Sequence, residues 1–139
     1  MTKIENEIKK LEYTNEELCV RMQGLDNDNV GDVVWGKLYK SSLFKGLRFI
    51  EGMINEDAVL LHELYYKCKK GVKINSELYN YCVFDLNSVS RKKFSYKNLD
   101  SVKAYKMRVD YFENKNEKLY ENALRLYTTN LVFNYALVK

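Results

Sequence analysis

One basic and aromatic stretch, residues 89–108, holds the side chains whose chemistry is easiest to interpret. It reads VSRKKFSYKNLDSVKAYKMR and contains seven Lys or Arg, one Asp and three aromatic residues. Lys and Arg neutralise phosphates, and aromatic rings stack on bases. The stretch therefore predicts a surface that binds nucleic acid. The predicted contact residues are Arg91, Lys92, Lys93, Phe94, Tyr96, Lys97, Lys103, Lys106 and Arg108.

The charge of the chain is unevenly distributed and supports the same prediction. Residues 66–108 carry 11 basic and 3 acidic groups, a net charge of +8, whereas the whole chain carries only +4. Such a block attracts an anionic partner, either nucleic acid or an acidic protein surface. The alternative is that these lysines only protect and solubilise the edge of a sheet.

Residue types that support catalysis are few and poorly spaced. His62 is the only histidine, and Cys68 lies six residues further on, on a different face of a predicted helix. Glu56 and Asp57 are adjacent and point in different directions from a helix, as acids at a helix start do. No zinc-ligand spacing or glycine-rich phosphate loop occurs. We therefore expect a non-enzymatic protein without a cofactor or a metal.

The ends and the cysteines of the sequence predict an intracellular, cytoplasmic protein that does not contact a membrane. The first ten residues are charged where a signal peptide is apolar, and no apolar run approaches the roughly 20 residues that span a bilayer. Three widely spaced cysteines fit free thiols in a reducing compartment. Abundant Asn, Lys and Tyr suggest an AT-rich genome, such as that of a virus, a phage or a low-GC bacterium; a viral protein would lie in a host cell.

Apolar periodicity predicts three helices in the first half of the chain, at about residues 3–24, 31–54 and 56–70. The second helix would bury Trp35 as the largest core residue, at the cost of several internal glycines. The third has the most consistent signals, because Asn55 can cap it and Gly71 can end it.

The second half has an ambiguous pattern. Residues 78–86 and 105–111 alternate as strands do, and the segment ENKNEK would join two strands in a hairpin. Apolar residues between 99 and 112, and again between 119 and 126, also fit a helical face. We favour an antiparallel sheet here, with an all-α protein as the alternative.

These observations predict a single α+β domain over residues 1–139, with a helical half, 1–71, and a basic half, 72–139. The predicted function is that of a small regulatory protein that binds nucleic acid through residues 89–108. The alternative is a virus- or phage-encoded protein-binding module or inhibitor that engages a host protein, since tyrosines are frequent at interfaces. The heptad-like spacing of the first helix fits a helix packed on its own domain, which we favour, and its alternative is a homodimer through that helix.

Overall fold

The computed structural model describes residues 8–24, 30–82 and 94–138, which form a two-stranded antiparallel sheet and four α-helices. The α+β class is therefore confirmed, although several elements lie elsewhere than predicted. The elements in chain order are strand β1 (Lys10–Thr14), helix α1 (Asn15–Met22), helix α2 (Glu56–Lys67), strand β2 (Lys70–Ile74), helix α3 (Asp100–Phe112) and helix α4 (Glu117–Val138).

The helix predicted over residues 3–24 is wrong within the described part, where β1 precedes a short α1. A capping box sets the boundary. The Thr14 hydroxyl accepts a hydrogen bond from the Glu17 amide at 3.2 Å, and the Glu17 carboxylate accepts one from the Thr14 amide at 2.8 Å. Helix α1 buries Leu18 and Met22 in the core of its own chain. These two apolar residues of the first helix therefore pack within their own chain and do not face a second copy. The homodimer stays a prediction.

The central helix predicted over residues 31–54 is also wrong, because this segment contains no α-helix. Left-handed backbone is readily adopted by glycine, and each left-handed residue interrupts a helical run. The segment therefore folds as a series of turns around one short 3₁₀ turn, Ser41–Phe44. Four of its glycines have φ angles between 70° and 79°: Gly31, Gly36, Gly46 and Gly52.

Helix α2 agrees best with its prediction. It begins at Glu56, as predicted, and ends at Lys67 rather than at residue 70. Strand β2 follows it and pairs antiparallel with β1, with Tyr13 opposite Gly71. Gly71 is therefore not a helix stop. A Cβ atom at this position would lie 2.8 Å from the Leu18 Cδ1 atom, so the absence of a side chain lets β2 pack closely on α1.

The antiparallel sheet predicted for the second half is wrong. Residues 78–82 form no strand, residues 83–93 lie outside the described part, and α3 and α4 follow them. The ENKNEK segment does contain a turn, but it joins two helices. In this turn Asn114 adopts a left-handed φ of 62°, and the Asn116 side chain accepts a hydrogen bond from a backbone amide at the start of α4. The helical spacing prevails because α3 and α4 bury their apolar faces against each other, while α3 also packs on α2 and α4 on α1.

Helix α4 is the longest helix described, with 22 residues. Its last turns leave several apolar side chains exposed, including Val132, Phe133 and Tyr135. Among the helices in the described ranges, none has both the length and the apolar character needed to cross a membrane.

One ion pair, with the Arg108 side chain fully buried and the Asp32 side chain 23% exposed, ties three distant segments together. Arg108 of α3 is 0% exposed, and its Nη2 atom donates to both carboxylate oxygens of Asp32, at 2.9 and 2.8 Å. The same nitrogen donates to the Ala58 carbonyl oxygen at 3.1 Å. Within the described part of the chain, the Nε and Nη1 atoms of Arg108 have no hydrogen-bond partner. The guanidinium group thus depends on Asp32 for its compensation.

We expect Arg108→Met to lower the free energy of unfolding by about 3–5 kcal/mol, because it leaves the Asp32 carboxylate without its partner inside the fold. The matched control is Lys70→Met. Lys70 pairs with Glu12 at 2.9 Å, but both side chains are more than 60% exposed, and such pairs contribute at most about 1 kcal/mol. Urea unfolding followed by circular dichroism measures both losses, and equal losses would contradict the structural role of Arg108.

Candidate functional site

Among the residues predicted to bind nucleic acid, those that the structure describes do not all lie on the surface. Arg91, Lys92 and Lys93 lie outside the described residues. Phe94 is half-buried, whereas Tyr96 is 80% exposed and Lys97 is also exposed. These last two side chains belong to the 3₁₀ turn that precedes α3.

The predicted contact residues of α3 are engaged within the protein to different degrees. Lys103 is exposed and lies 3.4 Å from a carboxylate oxygen of Asp100. Lys106 is exposed and forms an ion pair with Asp110. Arg108 is fully buried and bound to Asp32, so it does not reach the surface where a phosphate would bind.

A different group of ionisable side chains meets at the start of α2. Asn55 adopts a left-handed φ of 60° immediately before the helix, an uncommon conformation outside glycine. Asp57 follows in the first helical turn and is half-buried. Burial, together with the carboxylates of Glu56 and Asp32, raises the pKa of Asp57 above its ordinary value. The Asp57 carboxylate is therefore a stronger base than an exposed aspartate.

Lys37 supplies a positive charge to the same group. It is half-buried, and its ammonium group donates a hydrogen bond to the Val33 carbonyl oxygen. Burial lowers the pKa of Lys37, while the carboxylates of Asp32 and Asp57 act in the opposite direction. The ammonium group is therefore within electrostatic range of two carboxylates that come from different segments of the chain.

Tyrosine hydroxyls border these charges. Burial raises the pKa of Tyr39 to about 12, and the nearby Asp57 carboxylate contributes to that rise. Burial also raises the pKa of Tyr65 and of Tyr105, and the Asp32 carboxylate contributes in both cases. These phenols remain protonated at neutral pH and can act as hydrogen-bond donors. We call Asp32, Lys37, Tyr39 and Asp57 the Asp57 cluster.

Trp35 lies in the same loop but is not the core residue that the sequence predicts. Its indole is 43% exposed and stacks on Tyr79, with ring centroids 5.2 Å apart and planes 18° apart. It also stacks on Tyr81, at 4.8 Å and 13°. We call these three residues the aromatic platform. Within this platform, Trp35 is two residues along the chain from Lys37 and three from Asp32.

The histidine and the cysteines take no part in this group. Burial, with a contribution from Arg108, lowers the pKa of His62 to about 3, so that its imidazole is neutral at physiological pH. Burial raises the pKa of the Cys19 thiol to about 12, which keeps it protonated and unreactive. Across the described ranges, no three His, Cys, Asp or Glu side chains are arranged to hold a metal ion.

Sequence reasoning missed the Asp57 cluster because its members come from separate segments. The sequence suggests only that Glu56 and Asp57 are acids at a helix start, which is also where the structure places them. What the sequence does not reveal is that the loop containing Asp32 and Lys37 folds back onto this helix start. The four glycines between residues 31 and 52 are the available signal for a loop, although in the sequence alone they look like internal glycines of a helix.

Comparison with known proteins gives one short similarity. No known family model matches the chain, and no solved structure matches it. A stretch of 47 residues, 34% of the chain, is 45% identical to the glycosyltransferase GlyA of Streptococcus pneumoniae serotype 4. The matched stretch spans about 7% of the length of that protein. The chain is thus similar to a small part of a glycosyltransferase.

The raised pKa of Asp57 predicts a pH dependence of stability. The folded protein binds the Asp57 proton more tightly than the unfolded chain, whose Asp has an ordinary pKa near 3.8. This tighter proton binding stabilises the folded protein. Its contribution to the free energy of unfolding is fully present below pH 3.8 and is lost as the pH rises through the higher pKa of Asp57 in the folded protein. Asp57→Asn removes this loss. We therefore expect the free energy of unfolding of the variant, relative to wild type, to increase between about pH 4 and about pH 7. A difference that falls over this range would contradict the raised pKa.

Proposed function

We propose that the Asp57 cluster takes part in glycosyl transfer, with Asp57 as the base that activates the acceptor hydroxyl group. The observation that carries this proposal is the half-buried Asp57, whose pKa is raised beside the Lys37 ammonium group. The similarity of a 47-residue stretch to a glycosyltransferase supports it. The proposal departs from the non-enzymatic function expected from the sequence alone.

In the proposed reaction, the Asp57 carboxylate takes the proton of an acceptor hydroxyl. The acceptor oxygen then attacks the anomeric carbon of an activated sugar, and the bond from that carbon to the leaving group breaks with its electron pair. A general base acts best when its pKa is close to the working pH. A carboxylate with a raised pKa is closer to this optimum than an exposed one.

The neighbours of Asp57 have complementary roles. The carboxylates of Asp32 and Asp57 favour the protonated form of Lys37, so a positive charge stays near the carboxylate that must accept the proton. The Tyr39 hydroxyl stays protonated and its oxygen is buried, so it borders the Asp57 carboxylate from inside the fold. The left-handed Asn55 sets the direction in which the chain enters α2, and with it the position of Asp57. Backbone conformations of this kind cluster at functional sites.

A transferase assay tests this proposal. Nucleotide-activated hexoses are supplied with oligosaccharide acceptors, and the released nucleoside diphosphate is measured. We expect Asp57→Asn to lower the rate by about 10²- to 10⁴-fold, the usual contribution of a general base. Glu12→Gln is the control, because Glu12 lies on the exposed strand β1. An Asp57→Asn variant as active as wild type would contradict the role of Asp57, and a wild-type protein that releases no diphosphate would contradict transfer by this chain.

A second candidate function is the binding of nucleic acid predicted from the sequence. The observation in its favour is the exposure of Tyr96, whose ring is 80% accessible next to the exposed Lys97. Lys103, one helical turn beyond the 3₁₀ turn, adds a further exposed cation. An exposed aromatic ring beside lysines is the arrangement that stacks bases and neutralises phosphates in single-stranded nucleic acid.

Fluorescence anisotropy with labelled oligonucleotides tests this second candidate. We expect the double substitution of Lys97 and Lys103 by Ala to weaken binding and to reduce the salt slope by about one for each lysine. Lys118→Ala, at the opposite end of the α3–α4 pair, is the control. If the double variant keeps the wild-type salt slope, these lysines do not contact phosphates.

A further inference from the structure

Helix α4 has a second apolar face that points away from the core. Its core face contains Leu119, Ala123 and Asn134, which are buried. On the other side, exposed side chains recur at alternating intervals of four and three residues, the spacing that keeps side chains on one face of a helix. This row consists of Leu124, Thr128, Leu131, Tyr135 and Val138, and together with the adjoining Val132 we call it the α4 stripe.

Hydrogen bonds to α3 fix the rotation of α4 and keep the stripe on the surface. The Asn134 side-chain amide donates to the Ser101 hydroxyl at 3.3 Å and to the Asn130 carbonyl oxygen at 2.9 Å. The Ser101 hydroxyl donates in turn to the Asn98 carbonyl oxygen at 2.8 Å. Turning the stripe toward α3 would break these bonds, which is costly for buried polar groups. The stripe therefore stays exposed in a single copy of the chain.

The stripe can be buried without stranding a charge. None of residues 126–138 is Asp, Glu, Lys, Arg or His. The Thr128 hydroxyl already donates to the Leu124 carbonyl oxygen at 2.9 Å, so covering it leaves no donor unused. A helix that lies on a membrane surface has Lys and Arg along its polar face, which residues 126–138 lack. An uncharged protein surface is thus the better match.

We propose that the α4 stripe is an interface with a second copy of this chain, in which the two α4 helices pack antiparallel about Leu131. Leu131 then contacts Leu131 of the second copy, and Leu124 contacts Val138 of the second copy. Apolar side chains at this spacing interlock between two packed helices. The interface does not depend on the proposed glycosyl transfer.

The charges beside the stripe favour a second copy in the antiparallel direction. Arg125 is exposed and directly follows Leu124. Antiparallel packing brings Arg125 next to the last turn of the second α4, where backbone carbonyls carry a partial negative charge. In the described residues, that turn contains no basic side chain of its own. Parallel packing would instead bring Glu121 and Arg125 close to their own counterparts, and like charges repel.

The exposed area predicts how strong the association is. The apolar members of the stripe are between 41% and 63% exposed. From side-chain sizes they present roughly 500 Å² of apolar surface. Two copies would therefore bury on the order of 1,000 Å², which is near the lower limit of a specific interface. We expect a reversible dimer that dissociates in the micromolar range.

Sedimentation velocity over a concentration series tests the interface. We expect wild type to pass from monomer to dimer at micromolar concentrations. Leu131→Glu places two carboxylates together at the centre of the interface and should weaken association at least about tenfold. Leu38→Glu is the matched control, because Leu38 is fully exposed in a loop outside α4. Circular dichroism verifies the fold of each variant.

Two further variants test the contact and its direction. Val138→Lys puts a cation at the end of α4, which the helix tolerates, but opposes it to Leu124 of the second copy. It should therefore weaken association and serves if Leu131→Glu does not fold. Arg125→Glu reverses the charge beside the last turn of the second helix and should also weaken association. Association that is unchanged in Arg125→Glu would contradict the antiparallel direction.

Three results would overturn the interface. The first is a wild-type protein that stays monomeric at high micromolar concentrations. The second is a dimer that persists equally in folded Leu131→Glu and Val138→Lys. The third is a monomer that co-sediments with phosphatidylcholine vesicles and loses this binding in Leu131→Glu, which would assign the stripe to a membrane surface.

Discussion

The ion pair between Arg108 and Asp32 is the constraint on which the rest of the described structure depends. A guanidinium group with no exposure to water must be compensated inside the protein, and Asp32 and the Ala58 carbonyl oxygen provide this compensation. These partners come from α3, from the loop after residue 30 and from α2. The loop has no regular α-helix or strand to hold it, so the pair fixes the loop against the helices, together with the hydrogen bond that the Ile54 amide donates to the Asp100 carboxylate at 3.3 Å.

The candidate site is a consequence of this arrangement. Ala58 follows Asp57 directly, so the contact that anchors the loop also brings Lys37 close to the Asp57 carboxylate. The same loop carries Trp35 to the surface, where it stacks on residues 79–81. Burying a carboxylate beside another carboxylate costs stability, and this cost is typical of sites whose charges are arranged for function rather than for folding.

Local signals in the sequence predicted part of the structure correctly. Predictions failed where contacts between residues far apart in the sequence determine the structure. Helix α2 was found because its first-turn acids and Lys67 near its end agree. The start of α1 was also encoded, in the capping box of Thr14 and Glu17, but the longer apolar periodicity concealed it. In the C-terminal half, period-two and helical patterns coexist, and the packing of α3 on α4 decides between them. The burial of Arg108 could not be foreseen, because its partner lies 76 residues away in the sequence.

The measurement that tests this account most directly is the emission of Trp35 in a protein whose Asp32 and Arg108 are replaced together by Asn and Met. Removing both charges avoids an uncompensated buried ion, so the helices are expected to persist in circular dichroism. If the ion pair holds the loop in place, the loop is released, the stack on Tyr79 and Tyr81 opens, and Trp35 emission shifts to longer wavelength. Wild-type emission in the double variant would contradict the central role of the ion pair.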